Sequence, residues 1–309
     1  MTKGKAWGNK IEGLARSLPR AWKFKGGIKM ATTLTIICDN GISRPGLVGE
    51  HGFSVLIERE GKTLLFDTGP GMSLPINFEA LGKDPGSVDK IILSHGHYDH
   101  TGGLKWIVEK ACKPEIIAHP AVFSRHMVRE STDISVPARF IGCPFTRREL
   151  EDAGARFKFL EKTGAVEEGI TFLTGYALDP EKVALDKRLI LGDGLDVDLM
   201  EDDASLLIDT EEGYVLLLGC AHAGVLNIID YIKETLGITR LKAVLGGTHL
   251  MFYGAQSLSR LMDKFDEFKV DIIGVSHCTG MQAALKLAAR FGQRFAVASA
   301  GCVFRWGEV

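Results

Sequence analysis

Hydrophobic positions in this chain follow two different rhythms. Up to about residue 93 they come in short, β-branched runs with strand spacing, at 33–38, 53–58, 63–67 and 90–93, and Gly61 between the second and third runs suits a hairpin. From there helical spacing sets in at 104–109, 120–130, 146–153, 225–236, 256–268 and 281–291. Between the later helices lie further apolar runs at 205–209, 214–219, 242–246, 271–275 and 295–299. Strands first, then an irregular middle, then strand and helix in alternation predict an α/β (α+β) protein with two sheets packed face to face and helices outside them. The middle, 131–200, mixes Pro, Gly and charge, as in Asp179-Pro180-Glu181-Lys182 and Gly192-Asp193-Gly194, and is expected to be an insertion or a mobile lid.

Composition refines this picture in two places. The chain has 309 residues, 45% hydrophobic and 25% charged, as a folded globular protein does. Its most apolar stretch, 214–221, is far too short to cross a bilayer and ends at His222. The net charge of −2 is uneven: residues 1–30 hold eight Lys/Arg against Glu12, so they carry +7 and the remainder carries −9. The first 30 residues are therefore read as a basic, mobile arm without the apolar core of a secretion signal, and 31–309 as the folded domain. An acidic domain would repel a phosphate backbone, so nucleic acid is not expected as partner; with no spanning apolar run a membrane is not expected either, and a homo-oligomer is left open. Six cysteines scattered without a CxxC pair fit a reducing, cytoplasmic setting.

The strongest chemical signal is Ser94-His95-Gly96-His97-Tyr98-Asp99-His100, which follows an apolar strand and precedes Thr101-Gly102-Gly103. Three imidazoles and a carboxylate on one strand-to-helix loop suit a divalent ion. His95 and His97, two apart, can serve one ion, while Asp99 and His100 face the other way and can begin a second site. A pair of such ions can share a hydroxide that attacks at neutral pH while the ions polarise the bond under attack. Downstream, His222, His249 and His277 each stand just past the end of an apolar strand, where a site at one sheet edge would need them.

With these residues in view, the chain resembles the metallo-β-lactamase superfamily over most of 31–309. Phe66-Asp67-Thr68-Gly69 is similar to its Asp-Thr-Gly turn, and the resemblance implies a four-layered αββα sandwich with metals at one edge. It implies His95, His97, Asp99, His100, Cys220, His222 and His277 as ligands. His222 would complete the set of His95 and His97, and His277 that of Asp99 and His100. Gly219-Cys220 stands where the superfamily often has Gly-Asp, so Cys220 takes the place of a bridging carboxylate, and a further ligand would come from Glu201, Asp202 or Asp203. Asp67 is expected to support the metal loop and is counted with Asp99 and His249 among the groups that carry catalysis. His51 and His249 are left over as acids, bases or substrate contacts. One or two divalent ions are implied, zinc first, with iron, manganese or magnesium as alternatives.

Cys38-Asp39-Asn40, Glu50-His51-Gly52-Phe53-Ser54, Asp202-Asp203-Ala204-Ser205-Leu206, Gly246-Gly247-Thr248-His249-Leu250 and His277-Cys278-Thr279-Gly280 narrow the resemblance further. They are similar to the subgroup typified by a dihydropterin aminobenzene ribofuranosyl phosphate synthase. The leading expectation is a hydrolase acting on an ester, lactone or phosphoester of a small anionic molecule. The alternatives are a pterin-type transferase, in which an aromatic amine displaces a diphosphate, and a metal-binding module without turnover. No P-loop, dinucleotide fingerprint or nucleophile elbow is present.

Overall fold

Alternation of side chains across a strand decides how this chain layers itself. In a computed structural model that describes residues 31–131, 135–192, 194 and 196–307, the first strands are β1 (Thr32–Cys38), β2 (Ser54–Arg59), β3 (Lys62–Phe66), β4 (Lys90–Ile92) and β5 (Glu115–Ala118). Short strands β6 (His126–Val128) and β7 (Arg139–Phe140) follow, then β8 (Arg156–Phe159), β9 (Gly164–Glu167), β10 (Ile170–Leu173) and β11 (Leu189–Leu191). The last strands are β12 (Ser205–Thr210), β13 (Gly213–Leu218), β14 (Ala243–Gly247), β15 (Ile272–Ser276), β16 (Phe295–Val297) and β17 (Val303–Trp306). They form one sheet in the order β17-β1-β2-β3-β4-β5-β8 and a second in the order β16-β15-β14-β13-β12-β10-β9.

Every second residue of these strands points between the sheets. Leu34, Ile36, Val55, Ile57, Leu64 and Phe66 from the first sheet meet Leu206, Ile208, Val215, Leu217 and Leu245 from the second in one buried core. The intervening residues point outward and need cover. Ile37, Leu56, Leu65 and Ile91 pack under α1 (Ser73–Ala80) and, past the single turn α2 (Tyr98–Thr101), under α3 (Leu104–Lys110). With α4 (Arg147–Asp152) on the first sheet's side, α5 (Val225–Leu236), α6 (Ala255–Glu267) and α7 (Met281–Phe291) cover Leu207, Leu216 and Leu218 on the second. The result is the αββα sandwich that the sequence implied.

Two expectations are corrected. The run 120–130 is no helix: Pro120–Phe123 is one 3₁₀ turn, and His126 onward is β6, paired with β7 and β11 in a small third sheet. His119 caps the turn by accepting the Ala121 N–H at Nδ1, and Ser124 is already extended, so the chain leaves helical geometry within four residues. Nor is the whole of 131–200 an insertion. β8 closes the edge of the first sheet, and β9 and β10 close that of the second, their turns made by glycines that hide the short strands between them. The basic arm at 1–30 lies outside the described residues.

Parallel pairing places the site. β3, β4 and β5 run parallel in one sheet, β13, β14 and β15 in the other. The loops after β3, β4, β13, β14 and β15 carry Asp67, His95–His100, Cys220–His222, His249 and His277–Cys278, and they converge at one end of the sandwich.

Candidate metal centre

The loop after β4 is held by a carboxylate on the loop after β3. Asp67 is fully buried; its Oδ1 accepts the Ser94 N–H at 2.7 Å, and its Oδ2 accepts the Ser94 hydroxyl at 2.6 Å and His100 Nδ1 at 2.7 Å. Because the Ser94 hydroxyl donates to Asp67, its oxygen accepts from His95 Nδ1 at 2.9 Å. On the other side, His277 Nδ1 donates to Asn40 Oδ1 at 2.9 Å, and the His277 N–H to Asp39 Oδ1 at 2.7 Å. These bonds put a hydrogen on Nδ1 of His95, His100 and His277; Nε2 of His95 and His100 then offers a lone pair towards the centre, and Nε2 of His277 does so once it gives up the proton it shares with Asp99. Asp67 thus lies behind the imidazoles, bonded to the loop that carries them.

Two donor sets result. In the first, one ring nitrogen each of His95, His97 and His222 lies within 4.8 Å of the others. In the second, Asp99 Oδ2 is 3.3 Å from His277 Nε2 and 4.0 Å from His100 Nε2, which are 3.3 Å from one another. Cys220 Sγ, 3.2 Å from His100 Nε2, belongs both to a group with His95 and His100 and to one with His222 and His249. It therefore stands between the two sets, where the bridging carboxylate was expected.

Electrostatics favour the ligand forms of His95, His97, His222, Asp99 and Cys278 and oppose those of His277 and Cys220. Burial and the neighbouring imidazoles hold His95 and His222 neutral, far below the ordinary histidine range, and bring His97 down to about 4. Burial works against charge on Asp99 too, but His100 and His277 overcome it and keep the carboxylate ionised. His277 is burdened by burial as well, yet its bond to Asp99 lifts it to about 9. Burial pushes the thiols of Cys220 and Cys278 up, while hydrogen bonds from Cys220 and His249 and the charge of His277 bring Cys278 down and leave Cys220 high.

The buried polar atoms test whether these residues fit a cation. Nε2 of His97, Nε2 of His222 and both ring nitrogens of His249 are buried without any hydrogen-bond partner. Leaving a buried polar atom unpaired costs about 1–3 kcal/mol. With His222 Nε2 unpaired, and His95 Nε2 and His97 Nδ1 facing one another at 3.0 Å beside a thiol and a carboxylate, this cluster is what a divalent cation would satisfy, so the residues fit.

The remaining expected residues take other places. Glu201 is exposed, and Asp202 and Asp203 brace loops: Asp202 Oδ2 accepts the Gly96 N–H at 2.6 Å, and Asp203 Oδ2 the Ala223 N–H at 2.9 Å. His249 packs its ring 4.4 Å from that of His222. His51 lies at the mouth, exposed, with Nε2 3.4 Å from Asp99 Oδ2. Sequence reading missed the brace behind Asp202, where His126 sits between Asp198 at 2.5 Å and Asp202 at 3.4 Å, and it gave Cys278 no role. Asp67, Ala221, His249 and His277, all just past strand ends, share positive φ values of 47–58°.

Residues 47–231 match the family described as the metallo-beta-lactamase superfamily. This chain belongs to the metallo-beta-lactamase superfamily. It is 30% identical over 269 residues, 83% of this chain and 90% of the relative, to the 7,8-dihydropterin-6-methyl-4-(beta-D-ribofuranosyl)-aminobenzene-5'-phosphate synthase of Methanocaldococcus jannaschii. It is 31% identical to the uncharacterized protein MJ0448 of the same organism, covering 82% of this chain and 93% of that one. Among solved structures, the metal-dependent hydrolase of the beta-lactamase superfamily Tm1679 matches with a TM-score of 0.76 and 26% identity, covering 90% of this chain and all of that one. In this superfamily member, no helix among the described residues is long and apolar enough to cross a membrane.

Proposed function

We propose that this protein is a metal-dependent hydrolase that breaks an ester or phosphoester bond in a small anionic molecule. The observation that carries the reading is the pair of adjacent donor sets, His95/His97/His222 and Asp99/His100/His277, with Cys220 between them. Imidazole with thiolate suits zinc better than magnesium. Divalent ions in such a place supply Lewis-acid polarisation of the scissile bond and a nucleophile at neutral pH.

The chain's own residues do the rest. Asp67, Ser94 and Asn40 keep the imidazole tautomers that present Nε2. His249, with both ring nitrogens unpartnered, is placed to give a proton to the leaving group. Beside it Phe252 packs at 5.1 Å, and the Arg188 guanidinium, itself paired with Asp186 at 2.7 Å, lies over that ring at 5.3 Å and gives this wall an aromatic face. His51 at the mouth adds a second polar contact.

A second reading is favoured by one relative's name: the leaving group departs in the same way, but an aromatic amine, not water, takes its place. The two archaeal relatives are equally similar and only one is named for that synthesis, so the acceptor is the question to test. Metal-loaded protein would be given a dihydropterin methyl diphosphate with and without an aromatic amine, and a phosphodiester and a lactone in parallel. Hydrolysis without amine supports the hydrolase, amine-dependent release of diphosphate supports the transferase, and bound metal with neither sinks both in favour of a module without turnover.

A further inference from the structure

We infer that Cys278 is a second sulfur donor to the cation held by Cys220 and His277, which makes this half of the site selective for thiophilic divalent ions such as zinc. The inference rests on the metal-dependent reading above and adds a residue and a metal class to it.

Cys220 follows β13 and Cys278 follows β15, and these strands are not neighbours, because β14 lies between them. A side chain at the end of β14 would stand between the two sulfurs. The chain has Gly246 and Gly247 there instead. A Cβ at 247 would collide with the Gly219 carbonyl and meet Cys278 Sγ at 3.0 Å, and Gly246 has a φ of 112°, which side-chain-bearing residues avoid. The gap lets the sulfurs face one another over the middle strand. One donor atom each from Cys220, His277 and Cys278 lies within 4.8 Å of the others. Two thiolates on one tetrahedral zinc stand about 3.8 Å apart, so the loops need close by no more than about 1 Å.

The surroundings of Cys278 suit a ligand better than a packing residue. Its sulfur is buried and accepts the His249 N–H at 3.3 Å, the kind of bond that supports a metal thiolate. His277, which precedes it, has left-handed backbone with a φ of 47°. On binding, thiol protons leave to solvent and no electrons are transferred.

The test is titration of metal-free protein with Co²⁺, reading bound cobalt and the sulfur-to-cobalt charge-transfer absorption in wild type, Cys220→Ser, Cys278→Ser and the double variant. Each single variant should lose roughly half of the band and the double variant all of it, with Mn²⁺ affinity less affected than Zn²⁺ affinity. Because a variant could fail to fold, X-ray absorption on zinc-loaded wild type counts sulfur neighbours without any substitution. A full band in folded Cys278→Ser, or a sulfur count that one thiolate accounts for, overturns the inference. Cobalt bound without a sulfur band overturns both thiolate assignments and leaves the metal reading standing, whereas no bound cobalt removes that reading and this inference together.

Discussion

Asp67 accepts three hydrogen bonds inside the protein and touches neither solvent nor the centre of the site. Asp67→Asn keeps the shape but cannot accept from Ser94 and His100 alike, so His100 loses its fixed tautomer. Metal affinity should fall about 10–100-fold, measured by competition with a chelator. His249 stands on the opposite side, and His249→Ala should lower turnover about a hundredfold or more while metal content stays the same; loss of metal instead would make it a ligand. At this scale the HxHxDH loop was legible because its chemistry is local, and Asp67 because it ends a strand beside it. Asp198, His126 and Asp202 were not, since a brace among residues 72 and 76 positions apart leaves no local pattern, and a lone His in an apolar run reads as core. Cys278 was visible in the string but has no meaning until β14 is known to lie between it and Cys220.

The small sheet of β6, β7 and β11 shows how an element can matter to a site it does not enter. Through His126 it holds Asp202, and through Asp202 the Gly96 N–H between two expected ligands. His126→Ala would leave two buried carboxylates facing one another and should cost about 3 kcal/mol or more in urea unfolding of the metal-free protein. A conservative cost below that would mean the carboxylates find water. Helices α5 and α7 could be read to the residue from their spacing, since one face of each meets a sheet and glycines flank them. α1 could not: Leu74 and Phe78 are buried together with Ser73 and Asn77, whereas Ile76 is exposed, so no apolar stripe marks it. β8, β9 and β10 were lost among turns, because strands of four residues carry too little alternation to stand out.

For the molecule as a whole, the site joins the two sheets. His100 from one and His277 from the other meet at 3.3 Å, so a cation between them ties the halves of the sandwich together. Zinc at a free concentration a thousandfold above its dissociation constant should add about 4 kcal/mol to stability, seen as a higher thermal midpoint that a chelator reverses. An unchanged midpoint would mean that the folded protein holds no zinc in preference to the unfolded chain. The order of strands and helices gave the layered architecture early, because alternation in the strands and spacing in the helices follow from which face must be covered.

Ala221, between Cys220 and His222, holds a φ of 56° that glycine would adopt more readily. Ala221→Gly should therefore ease the backbone while freeing its neighbours to wander: the thermal midpoint of the metal-free protein holds or rises, and zinc affinity drops. If so, selection for robustness and selection for use pull this position in opposite directions, and the alanine records which of them has prevailed.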